Sequence, residues 1–428
     1  MENITREEAL RLLNAPERLE NLKRLVQDAK EGRLPLPETH SDVNNHIHTT
    51  YSFSPYSPTA AVWFSWQAGL CTCGLMDHDS IGGAEEFLEA CHIVGMPGTM
   101  GLECRASMSD TPFGDRRLNN PDQKGCAYLT LHGVPHDKAG ELNACFGKYR
   151  DLRNRRNRKM VEGINGLLRA YGIEVDFDRD VLPLSNYAAG GSVTERHLSC
   201  ALAKKLLERY PAGADLISFI KNDMRLPVSG KIEGYLLDGN NPHRLYDLIG
   251  WIKAQLISRF YVDAKEELMD IRDVLDMADR IGAIASYAYL GDVGDSVTGD
   301  KKAQTFEDEY LDELFPYLKE IGFKAVSYMP SRNTPAQLDR LRALCDRYQM
   351  FQISGEDINQ PRQAFVCMAQ RDPKFSNLYE ATWALIAHEW LSTGHPEKGF
   401  FSKEAVAKIP DMKERIAAYA KQGRELTF

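Results

Sequence analysis

The chain has 428 residues, a formal net charge of -9 and a hydrophobic content of 43%. This length allows a large core with accessory segments, and the negative charge argues against a nucleic-acid partner. No apolar run reaches the length of a membrane-spanning helix, so we expect no membrane partner. The charged N-terminus lacks a signal-peptide core, and the nine cysteines follow no disulfide framework, which together predict a cytoplasmic protein with reduced thiols.

The first 39 residues differ in pattern from the rest of the chain. Helical periodicity begins near residue 7 and stops at Gly32, and a proline-bearing linker comes next, so we predict one or two helices. An appendage of this kind serves packing or dimerisation, which leaves homo-oligomer formation open.

From residue 40 onwards, short apolar runs alternate with helical patterns. Strands are predicted at 42–48, 71–78, 96–103 and 126–133, and helices at 59–70 and 82–95, the first with Thr59 as its N-cap. Strands return at 283–291, 323–330 and 350–357, separated by helices at 264–282, 308–322 and 334–349. This alternation is typical of a parallel sheet or barrel, and it predicts an α/β fold with seven barrel strands.

A long helical stretch interrupts this alternation. Residues 136–262 show no convincing strand, and we interpret them as a helical insertion domain between two barrel strands. Because they follow the fourth strand, at the face where we expect the functional residues, they should form one wall of a cleft. Their basic run at 150–159 is more typical of a solvated helix face than of a nucleic-acid patch. The predicted domains are 1–39 (helical extension), 40–135 (barrel, first part), 136–262 (insertion), 263–360 (barrel, second part) and 361–428 (helical extension).

Three of the predicted strands end in residues of metal-ligand type. His46 and His48 close the first strand, the run DHD at 77–79 closes the second, and Glu103 closes the third. Residues two apart in a strand point the same way, so His46 and His48 present two imidazoles on one side. Imidazole and carboxylate together suit Zn, Mn or Fe, and chemistry collects at the C-terminal strand ends of parallel barrels.

The ordered set HIHT at 46–49, MDHD at 76–79 and GLE at 101–103 resembles the PHP family (polymerase and histidinol phosphatase) of metal-dependent phosphoesterases. The resemblance covers roughly 43–135 and 264–360. It implies a distorted seven-stranded (β/α) barrel of PHP type, here with a helical insertion and helical N- and C-terminal extensions. It also implies a site for three metal ions, as in typical members.

The resemblance further implies a ligand set. The residues matched to the first metal are His46, His48, Glu103 and Asp357. His132 matches a histidine that shares a second metal with Glu103, and His78 matches one that holds a third metal. Three positions depart from the family pattern, where an Asp or His, a His-Pro and a final histidine usually stand; they are Phe53, Tyr287 (or Tyr289) and Asn359.

The departures reduce the expected number of metal ions. Phe53 and Asn359 leave His78 alone in the third position, and a divalent ion needs three or more protein ligands to compete with water. We therefore expect one or two divalent transition metal ions, Mn, Zn or Fe, and an empty third position. Candidate replacement ligands elsewhere in the chain are Asp292, Asp295 and His388.

Other residues receive roles in catalysis or substrate binding. His78, without a third metal, is expected to act as a general acid or a phosphate contact, and Asp77 to orient a histidine. Arg196 and His197 resemble the family segment that lies over the substrate phosphate, although an ordinary helix-surface arginine is the alternative. Tyr287 is expected near the substrate, in place of the usual His-Pro.

The predicted function is metal-dependent hydrolysis of a small phosphate ester by a PHP-type phosphoesterase. Two alternatives stay open. One is a single-metal hydrolase or lyase acting on a non-phosphate substrate, such as a sugar acid or a cyclic amide. The other is a non-catalytic binding module that keeps a vestigial metal, and the metal content of the purified protein separates the three.

Overall fold

The computed structural model describes residues 4–294 and 304–426. Its sheet follows the order β1-β2-β3-β4-β6-β7-β8, with a short strand β5 added beside β3. The strands are β1 (Val43–Ile47), β2 (Thr72–His78), β3 (Gly98–Ser107), β4 (Cys126–His132), β5 (Met269–Asp270), β6 (Ile284–Ala288), β7 (Ala325–Tyr328) and β8 (Phe351–Ser354). Ile358, just beyond β8, exchanges backbone hydrogen bonds of 3.1 and 2.9 Å with His46 and His48. The sheet edges therefore nearly close, which confirms the predicted seven-stranded barrel.

Helices surround the barrel and make up the insertion. They are α1 (Arg6–Leu13), α2 (Arg18–Lys30), α3 (Pro58–Gln67), α4 (Ala84–Val94), α5 (Ala139–Cys145), α6 (Gly147–Leu168), α7 (Glu195–Arg209), α8 (Gly213–Ser218), α9 (Gly230–Leu237), α10 (Arg244–Gln255), α11 (Ile257–Phe260), α12 (Ile271–Ile281), α13 (Leu311–Ile321), α14 (Pro335–Arg347), α15 (Ser376–Ser392), α16 (Lys403–Lys408) and α17 (Met412–Glu425). None of the helices described is long and apolar enough to cross a membrane.

Two helix starts differ from the sequence prediction. Ser57, not Thr59, caps α3: its Oγ accepts a hydrogen bond from Ala60 N, and Pro58 suits the first helical position. Helix α12 begins at Ile271 rather than near residue 264, because Met269 and Asp270 pair with the end of β3 instead. The first difference extends α3 at its N-terminus, whereas the second shortens α12.

Strand β4 runs antiparallel to both of its neighbours, β3 and β6. The loop 108–125 joins β3 to β4 without a crossover helix, and a direct connection at one end of a sheet reverses the strand. The insertion therefore leaves the barrel at the end opposite Glu103, and the predicted exit at the functional face is wrong. Helix α5 then packs Leu142 into the barrel core, and α6 returns the chain to the functional end.

The opposite end of the barrel is covered by α15. Glu389 of this helix accepts hydrogen bonds from Thr99 Oγ1 at 2.6 Å and Met100 N at 2.8 Å, at the start of β3. Its alanines and Leu385 pack against the first residues of β6, β7 and β8. Residues 160–260 form a second hydrophobic core, separate from that of the barrel. Because α15 covers one end of the barrel, a functional site is expected at the other end.

Candidate metal centre

The two strand-end histidines and Glu103 meet inside the mouth of the barrel. The Nε2 atoms of His46 and His48 lie 3.2 Å apart. Glu103 Oε2, which faces them from β3, lies 3.5 Å from His46 Nε2 and 3.7 Å from His48 Nε2. All three side chains are largely buried, so their donor atoms point at one another rather than at bulk water.

Asp357 lies next to His48, at the edge of this group, and comes from the far end of the sheet. Its Oδ1 lies 3.2 Å from His48 Nε2, because the pairing of Ile358 with β1 brings the segment after β8 alongside that strand. Asn359 Nδ2 donates a hydrogen bond of 2.6 Å to the same Oδ1. The asparagine that stands at the position of a family histidine therefore orients a carboxylate instead of offering a ligand of its own.

The spacing of the His46, His48 and Glu103 donor atoms fits a single transition metal ion. Ligand atoms about 2.0–2.2 Å from a tetrahedral ion are separated from one another by about 3.3–3.6 Å. The three separations among these histidine and glutamate atoms are 3.2, 3.5 and 3.7 Å, whereas Asp357 approaches His48 and lies outside the group whose donor atoms are all within 4.8 Å of one another. Two imidazoles with two carboxylates are also a donor set for Zn, Mn or Fe. We call these four residues, His46, His48, Glu103 and Asp357, the metal-site quartet.

Electrostatics keep the quartet ready for a cation. Burial favours the neutral form of Glu103, but His78 and His46 outweigh it and hold the pKa of Glu103 well below its ordinary value. Burial also opposes the charge on Asp357, yet His48 lowers the pKa of that carboxyl too. Burial lowers the pKa of His48 itself, so this imidazole is neutral and free to act as a ligand.

A buried aspartate fixes the orientation of His48. Asp77 Oδ1 accepts hydrogen bonds from Ser52 Oγ at 2.6 Å and Thr49 N at 2.7 Å, and Ser52 Oγ lies 3.2 Å from His48 Nδ1. Because the single serine proton goes to Asp77, Ser52 Oγ can accept from His48 Nδ1, and that tautomer is the one that would offer Nε2 to a metal. Asp77 is fully buried, so we regard it as a positioning residue. It acts on His48 through Ser52, which agrees with the prediction that Asp77 orients a histidine.

Replacing Ser52 by alanine is expected to weaken metal binding by about 10- to 100-fold, the usual cost of removing a partner that orients a ligating histidine. Calorimetric titration of the metal-free protein with Zn²⁺ measures the change. Ser54→Ala is the matched control in the same loop, because Ser54 Oγ accepts from Tyr56 N instead of meeting a quartet histidine. An affinity equal to that of the wild type in Ser52→Ala would show that His48 needs no serine to hold its tautomer.

His78 lies beside the quartet without joining it. Its Nδ1 is 3.1 Å from Glu103 Oε2, and 24% of its side chain is exposed at the mouth. Phe53, the replacement at the third metal position, has a φ of 107° and turns its ring away, edge-on to His197 at 5.0 Å. With Asn359 bound to Asp357, His78 has neither expected partner. The predicted role of His78 in catalysis therefore depends on its second ring nitrogen, because Nδ1 is directed at Glu103.

The strand register places the remaining barrel candidates away from the quartet. His132 faces the interior of the barrel, but the residue opposite Glu103 on β4 is Thr130. Among the described residues, the metal-ligand atoms that all lie within 4.8 Å of one another are those of His46, His48 and Glu103, so His132 is not one of them. Burial and the charge of His46 lower the pKa of His132 to about 3. His132 thus lies two residues further along β4 than the position opposite Glu103, deeper in the barrel than a ligand of a metal shared with Glu103 was expected to lie.

The tyrosines expected near the substrate do not reach it. Ser286, not Tyr287, pairs with inward-facing Thr130, so Tyr287 points outwards and packs against Phe323. Tyr289 donates a hydrogen bond to Asp308 at 2.6 Å. The proposed substrate role of Tyr287 is wrong, because alternation along β6 turns its side chain to the helices.

Two of the three suggested replacement ligands fall within the described structure, and neither joins the quartet. His388 lies at the sealed end of the barrel, where its Nδ1 accepts from Phe400 N at 2.9 Å. Asp292 Oδ1 accepts a hydrogen bond from Phe306 N within its own loop. The third, Asp295, lies outside the described residues.

A buried ion network joins the insertion to the mouth of the barrel. Arg153 on α6 donates to Asp79 Oδ2 at 2.5 Å and to Glu195 Oε2 at 2.7 Å, and Arg156 also pairs with Glu195. Arg150 Nη1 donates to the carbonyl oxygen of Asp79 at 2.9 Å. The basic run was predicted to be a solvated helix face; that prediction is wrong for these three arginines, which are buried. Asp79, next to His78, is an anchor for the insertion.

The two substrate candidates on α7 differ in their surroundings. His197 Nδ1 accepts a hydrogen bond from Thr194 N at 2.9 Å and so caps the helix; burial lowers its pKa to about 3. Its Nδ1 is thus occupied by the helix cap, and a substrate contact for His197 stays a prediction. Arg196 acts on the site through its charge, which contributes to the lowered pKa of Asp357 after the larger effects of His48 and His46.

Several solved structures resemble this chain, among them the two that follow. A protein from Bifidobacterium adolescentis, provisionally described as a metal-dependent phosphoesterase, is 18% identical with a TM-score of 0.50, over 76% of this chain and 92% of its own. An amidohydrolase from Chromobacterium violaceum, with bound sulfate and no metal, is 16% identical with a TM-score of 0.49, over 76% and 90%. The first likeness shows a shared fold, and the second is too weak to add to it. No profile of a known family and no curated protein matches the chain.

Proposed function

We propose that this protein is a metal-dependent hydrolase of a small phosphate ester. The observation that carries the proposal is the metal-site quartet, with donor atoms 3.2–3.7 Å apart and Arg196 near Asp357. A divalent metal held there supplies an acidic water and offsets charge on the phosphoryl group. The similarity to the PHP family in its motifs, and in fold to a protein described as a phosphoesterase, supports the same reaction class.

The residues around the quartet have distinct tasks in such a reaction. Arg196 suits the phosphate, because a guanidinium binds two phosphate oxygens at once. His78 keeps one nitrogen on Glu103 and has the other for the leaving oxygen, which needs a proton when the P–O bond breaks. The loop that carries Ser52 and Thr49 holds His48 in place through Asp77. The buried network at Arg153 fixes the segment that carries His78.

Release of inorganic phosphate from a panel of phosphate monoesters tests this function. The metal-free protein is loaded in turn with Mn²⁺, Zn²⁺ or Fe²⁺, and sugar-acid lactones and cyclic amides are assayed in parallel. Phosphate release that requires the metal is expected. Turnover of a lactone or amide without phosphate release would favour the single-metal alternative, and metal binding without turnover of any compound would favour the binding module.

A further inference from the structure

Tyr128 lies at the mouth of the barrel, on the same face of the sheet as Glu103. Thr130 is directly opposite Glu103, and Tyr128 is directly opposite Arg105, two residues further towards the opening. Opposite residues of an antiparallel pair share a face, and so do residues two apart along a strand. Because Glu103 points into the mouth, the Tyr128 side chain points into it as well.

The ring of Tyr128 is a neighbour of His78. The two ring centroids lie 5.9 Å apart, and the His78 ring also lies 4.6 Å from that of His48. In the order of the sheet, His48 follows β1, His78 ends β2 and Tyr128 lies on β4. His78 therefore stands between the metal-site quartet and Tyr128. A substrate with its phosphoryl group at the quartet and its leaving oxygen at His78 extends its alcohol part towards Tyr128.

The hydroxyl of Tyr128 is open to a ligand. It forms no hydrogen bond with any residue that the structure describes, and it is not one of the buried atoms left without a partner. Tyr128 itself is partly exposed. Its backbone is held on both sides by Asn119, whose Nδ2 donates to Tyr128 O at 2.8 Å and whose Oδ1 accepts from Tyr128 N at 2.7 Å. A well-fixed residue thus presents a hydroxyl to the solvent of the mouth.

The charged side chains beside Tyr128 are already paired with one another. Arg105 is 4% exposed, and its guanidinium lies 3.4 Å from Glu195 Oε1 and 3.5 Å from Glu267 Oε1. The network contains three arginines and three carboxylates, namely Arg105, Arg153, Arg156, Asp79, Glu195 and Glu267. Their formal charges sum to zero, so this wall does not call for a charged group on the alcohol. A phenol hydroxyl both donates and accepts hydrogen bonds, which suits another hydroxyl.

We propose that Tyr128 binds the alcohol part of the substrate through its hydroxyl, so that the substrate is a phosphate monoester of a small, uncharged alcohol with at least one further hydroxyl group. The inference rests on the proposed function, which assigns the phosphoryl group to the metal-site quartet. Tyr128 exchanges a hydrogen bond with the further hydroxyl while the leaving oxygen takes its proton at His78. Tyr128 is thus a specificity residue for the alcohol and does not take part in breaking the P–O bond.

Two esters with the same carbon chain isolate this hydrogen bond. Racemic glycerol 1-phosphate carries two hydroxyl groups that propyl phosphate lacks. The intrinsic reactivity of each ester is the same for every variant, so the ratio of their kcat/KM values is compared between variants of the Mn²⁺-loaded protein. We expect Tyr128→Phe to lower the ratio of glycerol phosphate to propyl phosphate by about 2- to 10-fold, the usual contribution of one neutral hydrogen bond. The kcat/KM for propyl phosphate should stay unchanged.

Tyr287→Phe is the matched control, because it removes the same hydroxyl on the neighbouring strand β6. Tyr287 points away from the mouth and packs against Phe323, so this variant should keep the wild-type ratio.

An unchanged ratio in Tyr128→Phe, or an equal loss of kcat/KM with both esters, would overturn the role of Tyr128; the second result would mean that Tyr128 only positions His78. If the wild type releases phosphate from no monoester, the proposed function is overturned, and calorimetric Kd values for the two esters decide the role of Tyr128 instead. A Kd ratio that changes in Tyr128→Phe but not in Tyr287→Phe supports the role. An unchanged ratio, or no binding of either ester, overturns it.

Discussion

Replacing Glu103 by glutamine is expected to abolish metal-dependent activity and to weaken metal binding by more than about 100-fold, since even partners outside the coordination shell cost 10- to 100-fold. Glu103 Oε2 lies 3.1–3.7 Å from ring nitrogens of His46, His48 and His78, so it is the one side chain shared by all three. An amide of the same shape keeps the packing but loses the negative charge. Calorimetric metal titration and thermal unfolding, each with and without metal, measure the effect.

Thermal unfolding distinguishes a lost site from a damaged fold. A ligand at 100 times its Kd stabilises the native state by about 2.7 kcal/mol, and Glu103→Gln should lose this metal-induced increment whether or not its metal-free midpoint falls. Glu389→Gln is the matched control, because Glu389 is equally buried but accepts from Thr99 and Met100 at the sealed end. It should destabilise the metal-free protein and keep the metal-induced shift. A metal-induced shift that persists in Glu103→Gln and disappears in Glu389→Gln would place the metal away from Glu103.

Replacing Arg153 by methionine is expected to destabilise the protein by about 3–5 kcal/mol, the usual cost of removing one partner from a buried ion pair. Arg153 is 4% exposed and is the side-chain partner of both Asp79 and Glu195. Without it, Asp79 becomes a buried charge lacking its cation, and the segment that carries His78 loses its anchor on the insertion. Equilibrium denaturation in urea gives the free energy of unfolding.

Arg158→Met on the same helix supplies the control for Arg153→Met. Arg158 pairs with Asp178, but both side chains are about half exposed, and such surface pairs contribute about 0–1 kcal/mol. A loss of less than about 1 kcal/mol in Arg153→Met as well would mean that the buried network does not hold the insertion to the barrel.

Local patterns in the sequence predicted much of the barrel and part of the site. His46 and His48 are two residues apart on one strand, and the spacing alone places both imidazoles on one side. The placement of Glu103 and of Asp357 beside the two histidines came from the resemblance to a family, because contacts between distant strands leave no trace in a local window. The helix start at Thr334 and Pro335 was confirmed for the same local reason.

Features that depend on tertiary pairing were missed. The antiparallel direction of β4 follows from the loop before it, which has no crossover helix. An apolar run of seven residues does not by itself indicate whether the strand is parallel or antiparallel to its neighbours. Strand register then decides that Tyr287 points outwards, which one residue of slip would reverse. The buried arginines of α6 have acidic partners in other segments, Asp79 and Glu195, so the charge run alone resembled a solvated face. The role of Ser52 between Asp77 and His48 was also missed, because a serine in a Ser- and Pro-rich loop has no distinguishing sequence pattern.

Anomalous diffraction on crystals grown with Zn²⁺, recorded above and below the zinc absorption edge, tests the metal-site quartet most directly. The predicted result is one strong peak about 2.0–2.2 Å from donor atoms of His46, His48, Glu103 and Asp357, and no separate ion coordinated by His78. A crystal without a peak in the quartet, or with its main ion held by other residues, would contradict the proposed metal centre and the function built on it.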